Sequence, residues 1–400
     1  MRILISGASI AGPVAAYWLA RYGFDVTVVE RAPQLRKTGG HAVDLFRPAV
    51  EISEKMGVLP QIAEMATGTT ELTIYREGVA RPAQVDLTKV YGASSDRHVE
   101  IMRDDLSEIY YNASKGDVEY IFGDSISAMS PGGDVTFEHA AVRTFDVVIG
   151  ADGLHSNVRR LVFGEDAATS RFLGGYLSVI SVPKSLAHSG QMVIHLGAGR
   201  MAGIYTAQPL TDARALFLFR SRSELQYHHR DVLRQQDLLR TAFTGMHPQV
   251  DGWLEELNRT PSFYFDSITQ LQLDSWSRGR VTLVGDAGYC PGPAVGGSTS
   301  IAVLGAYILA GELAQASGDY TQAFAAYEQQ MSDPVTRSRA FARVAAKSIV
   351  PSSAAGVWAL TRGAQLISLL PAKVTKAVAK LNTKGARLYD SMHYQDYSPV

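Results

Sequence analysis

The segment Gly7-Ala8-Ser9-Ile10-Ala11-Gly12 constrains the fold more than any other part of the chain. It follows an apolar run, Arg2–Ser6, and precedes a stretch with helical periodicity, Pro13–Tyr22, after which Asp25–Glu30 reads as a second apolar strand. Two strands that are almost wholly apolar, joined through a helix, are the pattern of a parallel sheet covered on both faces. The glycines have the spacing of a phosphate loop, with Ser9 at the middle position. Gly7 permits the tight turn, Gly12 lets the helix lie close to the sheet, and a pyrophosphate is expected at the helix N-terminus, with Ala11 at the helix start. Glu30, 18 residues after Gly12, stands where a carboxylate accepts hydrogen bonds from an adenosine ribose, and Arg31 follows it. A dinucleotide on a Rossmann-type fold is therefore expected. The early Arg2 and the apolar run loosely imitate a secretion signal, but the loop spacing favours a strand.

Beyond this opening the helical and strand patterns interleave. Pro48–Met56 and Arg103–Ala113 read as helices, and Glu71–Arg76, Val85–Leu87, Val118–Phe122, Val135–Glu138 and Phe145–Gly150 as strands. From about 168 to 275 the character changes to an antiparallel sheet, with strands at Tyr176–Val182, Gln191–Leu196, Met201–Gln208 and Ala215–Arg220 and a helix at Arg230–Thr244. Arg280–Val284 is another buried strand, followed by helices over 300–314 and 320–350 and one or two more over Ala354–Asp390. The expected organisation is an α/β protein with a discontinuous nucleotide domain (1–70, 96–167 and 276–330), an inserted antiparallel-sheet substrate domain (71–95 and 168–275) and a helical C-terminus (331–400). The apolar stretch Ala354–Leu370 reads as a structural helix, with a lid as the alternative.

Composition narrows the partners. The formal charge is −1 and no dense basic run occurs, so nothing argues for nucleic acid. No apolar run spans a bilayer: Ile301–Ala314 comes nearest and reads as a buried helix, so no membrane partner is expected. The single cysteine, Cys290, excludes an intrachain disulfide and any CxxC site and fits a reducing cytoplasm. The ten histidines form no HExxH or carboxylate–histidine cluster, so no metal is expected.

Two further motifs follow buried strands. In Gly150-Ala151-Asp152-Gly153, continuing to Arg159, Asp152 can cap the next helix while Gly153 lets the backbone turn. In the stretch from Gly285-Asp286 through Pro293 to Gly296-Gly297-Ser298, Asp286 sits where a strand opens into a crevice, and the paired glycines allow backbone against a flat ring. A capping aspartate in a Gly/Pro loop explains each equally well in isolation.

In this order, the three motifs resemble those of the single-component FAD-dependent aromatic hydroxylases, the p-hydroxybenzoate hydroxylase family, and the length and helical C-terminus look closest to the tetracycline-inactivating monooxygenases. The resemblance implies FAD as cofactor. Asp152 then belongs to a motif tied to FAD and NAD(P)H, and Asp286 contacts the ribose-containing chain of FAD. Arg103, in Arg103-Asp104-Asp105-Leu106, matches an arginine near the diphosphate. Gly39-Gly40 followed by Asp44 resembles the segment beside the flavin, with one extra residue after the glycines; Arg36 matches an arginine tied to NADPH, and Arg47 is placed near the ring. Ser298 departs from a glycine usual there. The implied reaction uses NAD(P)H and O2, passes through a C4a-hydroperoxyflavin and hydroxylates an aromatic or polyketide-like small molecule, antibiotics included. No acid–base dyad is required, and no second glycine loop for NAD(P)H is present. Substrate candidates on the inserted sheet are His195, Arg200, Tyr205 and Arg220, with Pro293 on the flavin side; each is equally readable as structural. A halogenase reading fails because Trp18, Trp253, Trp276 and Trp358 are too far apart for its Trp-x-Trp motif. A flavin reductase without oxygen transfer and a non-catalytic ligand-sequestering flavoprotein stay open.

Overall fold

The computed structural model describes residues 1–35, 40–95, 97–164, 168–207, 210–228, 231–293, 297–370 and 388–397. Its first sheet has six strands in the order Ser277–Arg278, Val281–Leu283, Val147–Gly150, Arg2–Ser6, Asp25–Glu30, Glu119–Phe122. All neighbours are parallel except the short first strand. Ile3, Leu4, Ile5, Val147 and Ile149 have no more than a trace of exposure, which is why these strands are runs of apolar residues with no alternation. The helices Ala11–Arg21, Arg103–Ser114 and Ser298–Gln315 pack together on this sheet. Burial of Ser298–Gln315 on nearly all sides explains its uniformly apolar sequence. No helix among the described residues is long and apolar enough to cross a membrane.

The second sheet has seven strands in the order Phe263–Gln272, Thr169–Pro183, Asp212–Arg220, Arg200–Tyr205, Gln191–Gly197, Glu71–Arg76, Ala83–Asp86. It is antiparallel except where Gln191–Gly197 runs parallel to Glu71–Arg76. One face buries Phe217, Phe219 and Ala202 under the helices Val232–Phe243 and Pro248–Glu255. The other carries Ile194, Leu196, Met201 and Leu218 against residues of the C-terminal helices Tyr320–Ser348 and Ala354–Leu369. A two-stranded ribbon, Ala42–Leu45 with Val99–Met102, brings Ala42 and Met102 against Tyr205 of this second face.

Most expected elements are present within a few residues of their expected ends. The ribbon, the strand Phe263–Gln272 and the helices Leu87–Ser94 and Pro248–Glu255 are additions. The expected helical tail is present as Ala354–Leu369 and a short turn at Tyr389–Ser391, and residues 371–387 between them lie outside the described set.

Candidate functional site

Strand register places the three glycine motifs side by side. Ser6 pairs with Gly150 and Gly150 with Leu283, so all three chains leave the sheet at the same carboxyl edge, where open α/β sheets bind ligands. The turns are packed too tightly for side chains. Gly7 has φ +108°, and a Cβ on it would meet the Ala151 carbonyl oxygen at 2.5 Å; one on Gly12 would meet the Gly7 oxygen at 1.9 Å. Ala11, the first residue of the loop's helix, faces Gly285: a Cβ there would touch that of Ala11 at 3.5 Å. Helix Ala11–Arg21 begins at Ile10 with no side chain capping it and no acid in its first turn. Its leading amides and positive dipole end thus suit an anion.

Around this helix end lies a cleft of about 1400 Å3, its open mouth included. Glu30 forms one wall: its carboxylate accepts from Ala8 N at 2.9 Å and Ala32 N at 2.8 Å, tying the strand end to the loop. Arg31 is exposed at the rim. On the opposite wall Arg103 opens the helix Arg103–Ser114 and donates from Nη2 to Ser9 Oγ at 3.1 Å. Ser107, one turn on, donates to the Ser9 carbonyl at 2.9 Å. The small Ser9 therefore serves as the link between loop and cation. An uncapped helix end and a half-buried guanidinium supply donors that fit a dinucleotide diphosphate, and a strand-end carboxylate supplies an acceptor that fits its ribose hydroxyls.

Asp152 is committed to its own helix. It accepts from Ser156 Oγ and from the amides of Asn157 at 2.8 Å and Val158 at 3.0 Å, and burial raises its pKa. The N-cap itself is Ser156. Arg159 ties this motif to the third one by donating to Ala287 O at 2.8 Å. Asp286 opens a short helix after Gly285; burial raises its pKa, and the Arg103 charge opposes that shift.

Asp44, on the ribbon, bonds His98 Nε2 through Oδ1 at 2.7 Å. Ser300 Oγ accepts from Phe46 N at 2.9 Å, linking the ribbon to the helix that starts after Gly297. Gly297 has φ +85° and is so close to Tyr389 that a Cβ would meet its Oη at 1.8 Å, and the Tyr389 ring stacks on Phe46 at 4.7 Å. Arg47 pairs with Glu51 at 2.8 Å. Arg36 and Gly296 lie outside the described residues.

The substrate candidates divide by sheet face. Tyr205 is buried and its hydroxyl accepts from Ala42 N at 2.8 Å, so it anchors the start of the ribbon strand Ala42–Leu45. Beside it Arg214, unremarked in the sequence, pairs with Asp212 and donates to the Gly40 carbonyl at 3.0 Å. His195 and Arg200 are on the opposite face, against Gln249 at 2.9 Å and the Ala242 carbonyl at 2.9 Å, and the structure does not bring them to the cleft. Arg220 donates to the Lys347 and Val350 carbonyls, both at 3.3 Å, at the end of the long helix. Pro293 sits half-buried in the turn after the third motif. Sequence reading also passed over His41 and Tyr264, which line the cleft with rings 5.8 Å apart.

Burial lowers the pKa of His41 to about 4, helped by the Arg103 charge; burial and then His247 do the same for His195. An unfolded histidine titrates near 6.5. Between pH 6.5 and 4 the unfolded chain therefore binds more protons at these positions, and their contribution to stability is lost as pH falls through that window. His195→Gln should lose less stability than the parent between pH 7 and pH 5, measured as the urea midpoint at each pH. Equal losses would contradict a buried, neutral His195.

The comparisons with known proteins agree with this geometry. A family model described as FAD binding domain matches residues 1–337. An uncharacterized protein of Mycobacterium tuberculosis is 44% identical over 84% of this chain and 91% of its own. A flavin-dependent monooxygenase of Legionella longbeachae is 36% identical over 85% of this chain and 87% of its own. Among solved structures, the tetracycline destructase Tet(51) superposes with a TM-score of 0.82 at 32% identity, covering 99% of both chains. Fold and site thus define a flavoprotein with a Rossmann-type FAD domain. The chain belongs to the FAD-binding family of flavin-dependent monooxygenases, and FAD is its cofactor.

Proposed function

We propose that the protein is a monooxygenase that uses NAD(P)H and O2 to hydroxylate an aromatic or polyketide-like small molecule, with tetracyclines one option. The observation that carries this reading is the meeting of three motif-bearing strand ends at one sheet edge, the first two lining the cleft beside Arg103, in a chain that resembles a solved tetracycline destructase. FAD, when held there, would supply the redox chemistry that couples NAD(P)H oxidation to the use of O2.

The chain's own residues bind, orient and exclude water. The Gly7–Gly12 loop and the start of its helix hold the diphosphate, with Arg103 as the fixed cation, while Glu30 takes the adenosine ribose and Arg31 flanks it. Asp286 takes hydroxyls of the ribityl chain. Asp152 acts indirectly, by fixing the turn that packs on Gly7. Asp44 and Gly297 border the flavin ring, and Arg36 is assigned to NADPH. Tyr205 and Arg214 clamp residues 40–42 to the inserted sheet, closing the ring end from that side. The test is a substrate screen that follows NADPH consumption. Oxidation stimulated by an aromatic or polyketide compound is expected, whereas binding of such compounds with no stimulation would identify a sequestering flavoprotein.

A further inference from the structure

The near-neutral balance of the chain conceals a division of charge. Residues 334–389 hold ten of its 38 Lys and Arg and none of its 39 Asp and Glu. The cations are spaced along the sequence, so no dense run marks them; five lie at 373–387, outside the described residues, Arg337 pairs with Asp333, Arg339 donates to the Leu271 carbonyl, and Arg343, Lys347 and Arg362 are exposed. The same region is unusual in what it exposes. Helix Ala354–Leu369 buries only Val357 and Thr361, while Trp358, Leu366 and Leu369 are 54%, 63% and 80% exposed, and Leu360 and Ile367 are exposed as well. Arg362 is the helix's one charged residue. Trp358, Arg362, Leu366 and Leu369 fall at helical spacing on one stripe, away from the Val357 and Thr361 side. The preceding helix ends with exposed Arg343, Val344 and Lys347. Lys89 donates to the Ser368 carbonyl at the far end, beside its partner Asp86.

We propose that this helix is an interfacial docking face for an anionic lipid bilayer. A monomeric protein seldom leaves five large apolar side chains of one helix in water. With the exposed cations Arg343, Lys347 and Arg362 on this helix and the one before it, the stripe of Trp358, Leu366 and Leu369 matches a surface that is apolar beneath and negative above. A nucleic-acid surface would not use aliphatic side chains in this way. No spanning helix is needed, since an interfacial helix lies in the plane of the headgroups with one side immersed. An enzyme docked so could draw an apolar substrate from the bilayer.

The molecule contains its own reporter. Trp18, Trp253 and Trp276 are buried, and Trp358 is the exposed tryptophan. The FAD-loaded protein is mixed with vesicles of phosphatidylglycerol and phosphatidylcholine, or of phosphatidylcholine alone, at low salt, and followed by co-sedimentation and tryptophan emission. The expected result is co-sedimentation with the anionic vesicles only, with a blue shift that Trp358→Phe removes. Raising the salt to about 1 M, where the Debye length is about 3 Å, should cut the bound fraction at least tenfold. The triple variant Trp358→Glu, Leu366→Glu, Leu369→Glu should do the same at low salt while its FAD content stays that of the parent. The proposal is overturned by equal binding to both vesicles or by none. It is also overturned if the blue shift arises without vesicles as the mass doubles, if acrylamide fails to quench Trp358 in the free protein, or if the protein binds DNA and not vesicles.

Discussion

Arg103→Ala is expected to weaken FAD binding by about 10- to 100-fold. Hydrogen bonds to charged groups contribute about 1.5–3 kcal/mol each, and every 1.4 kcal/mol is a factor of ten in affinity. Arg103 is the cation fixed at the Gly7–Gly12 loop: its helix starts there, its backbone amide donates to the His41 carbonyl at 3.1 Å, and its guanidinium bonds Ser9. A diphosphate at the uncapped end of helix Ala11–Arg21 would carry its charge against that fork. Arg103→Lys keeps the charge and loses the planar geometry, so it should recover only part of the affinity. Titrating FAD-free protein with FAD and following flavin fluorescence measures both variants. Unchanged affinity in Arg103→Ala would place the diphosphate elsewhere.

Gly12→Ala should be the most damaging single methyl group that can be added to the loop. The new carbon would sit 1.9 Å from the Gly7 carbonyl oxygen, a backbone atom that no rotamer change can move aside. The helix would have to lift from the sheet, at the cost of about 1–3 kcal/mol typical of overpacking. It would also carry its leading amides away from the proposed diphosphate site. The expected outcome is a lower urea midpoint in FAD-free protein together with loss of FAD retention. Gly116→Ala is the control: it has open space around it, and its midpoint should shift by less than about 0.5 kcal/mol equivalent. Equal behaviour of the two variants would mean that the loop relaxes freely, contrary to the packing described.

These two residues were legible in the sequence for different reasons. The Arg2–Ser6 strand, its glycine loop and Asp25–Glu30 are readable because a parallel strand buried on both faces has no choice but to be apolar, and its turn no choice but to be glycine. Arg103 carries no such local mark, and only the likeness to a family singled it out. The strand Phe263–Gln272 was missed because it buries polar side chains, Ser267, Thr269 and Gln270, within the sheet, so its pattern does not read as apolar. His195, Arg200 and Tyr205 all lie on strands of the inserted sheet. Strand alternation sends the first two to the helices Val232–Phe243 and Pro248–Glu255, and the third to the ribbon beside Asp44. Which face meets the flavin domain is a tertiary fact, and the same fact hid the Arg214 clamp. Asp152 was ambiguous in sequence because a helix-capping aspartate and a cofactor-touching one occupy the same place; its three hydrogen bonds within its own turn show what it does locally.

Oxygen transfer is what separates this reading from a flavin reductase on the same fold. The FAD-loaded protein, NADPH and a substrate that stimulates NADPH consumption are incubated under 18O2, and the product is weighed by mass spectrometry. The predicted result is a gain of one oxygen atom that carries the label. NADPH consumption with hydrogen peroxide as the only oxygen product, and no labelled product from any stimulating compound, would contradict it.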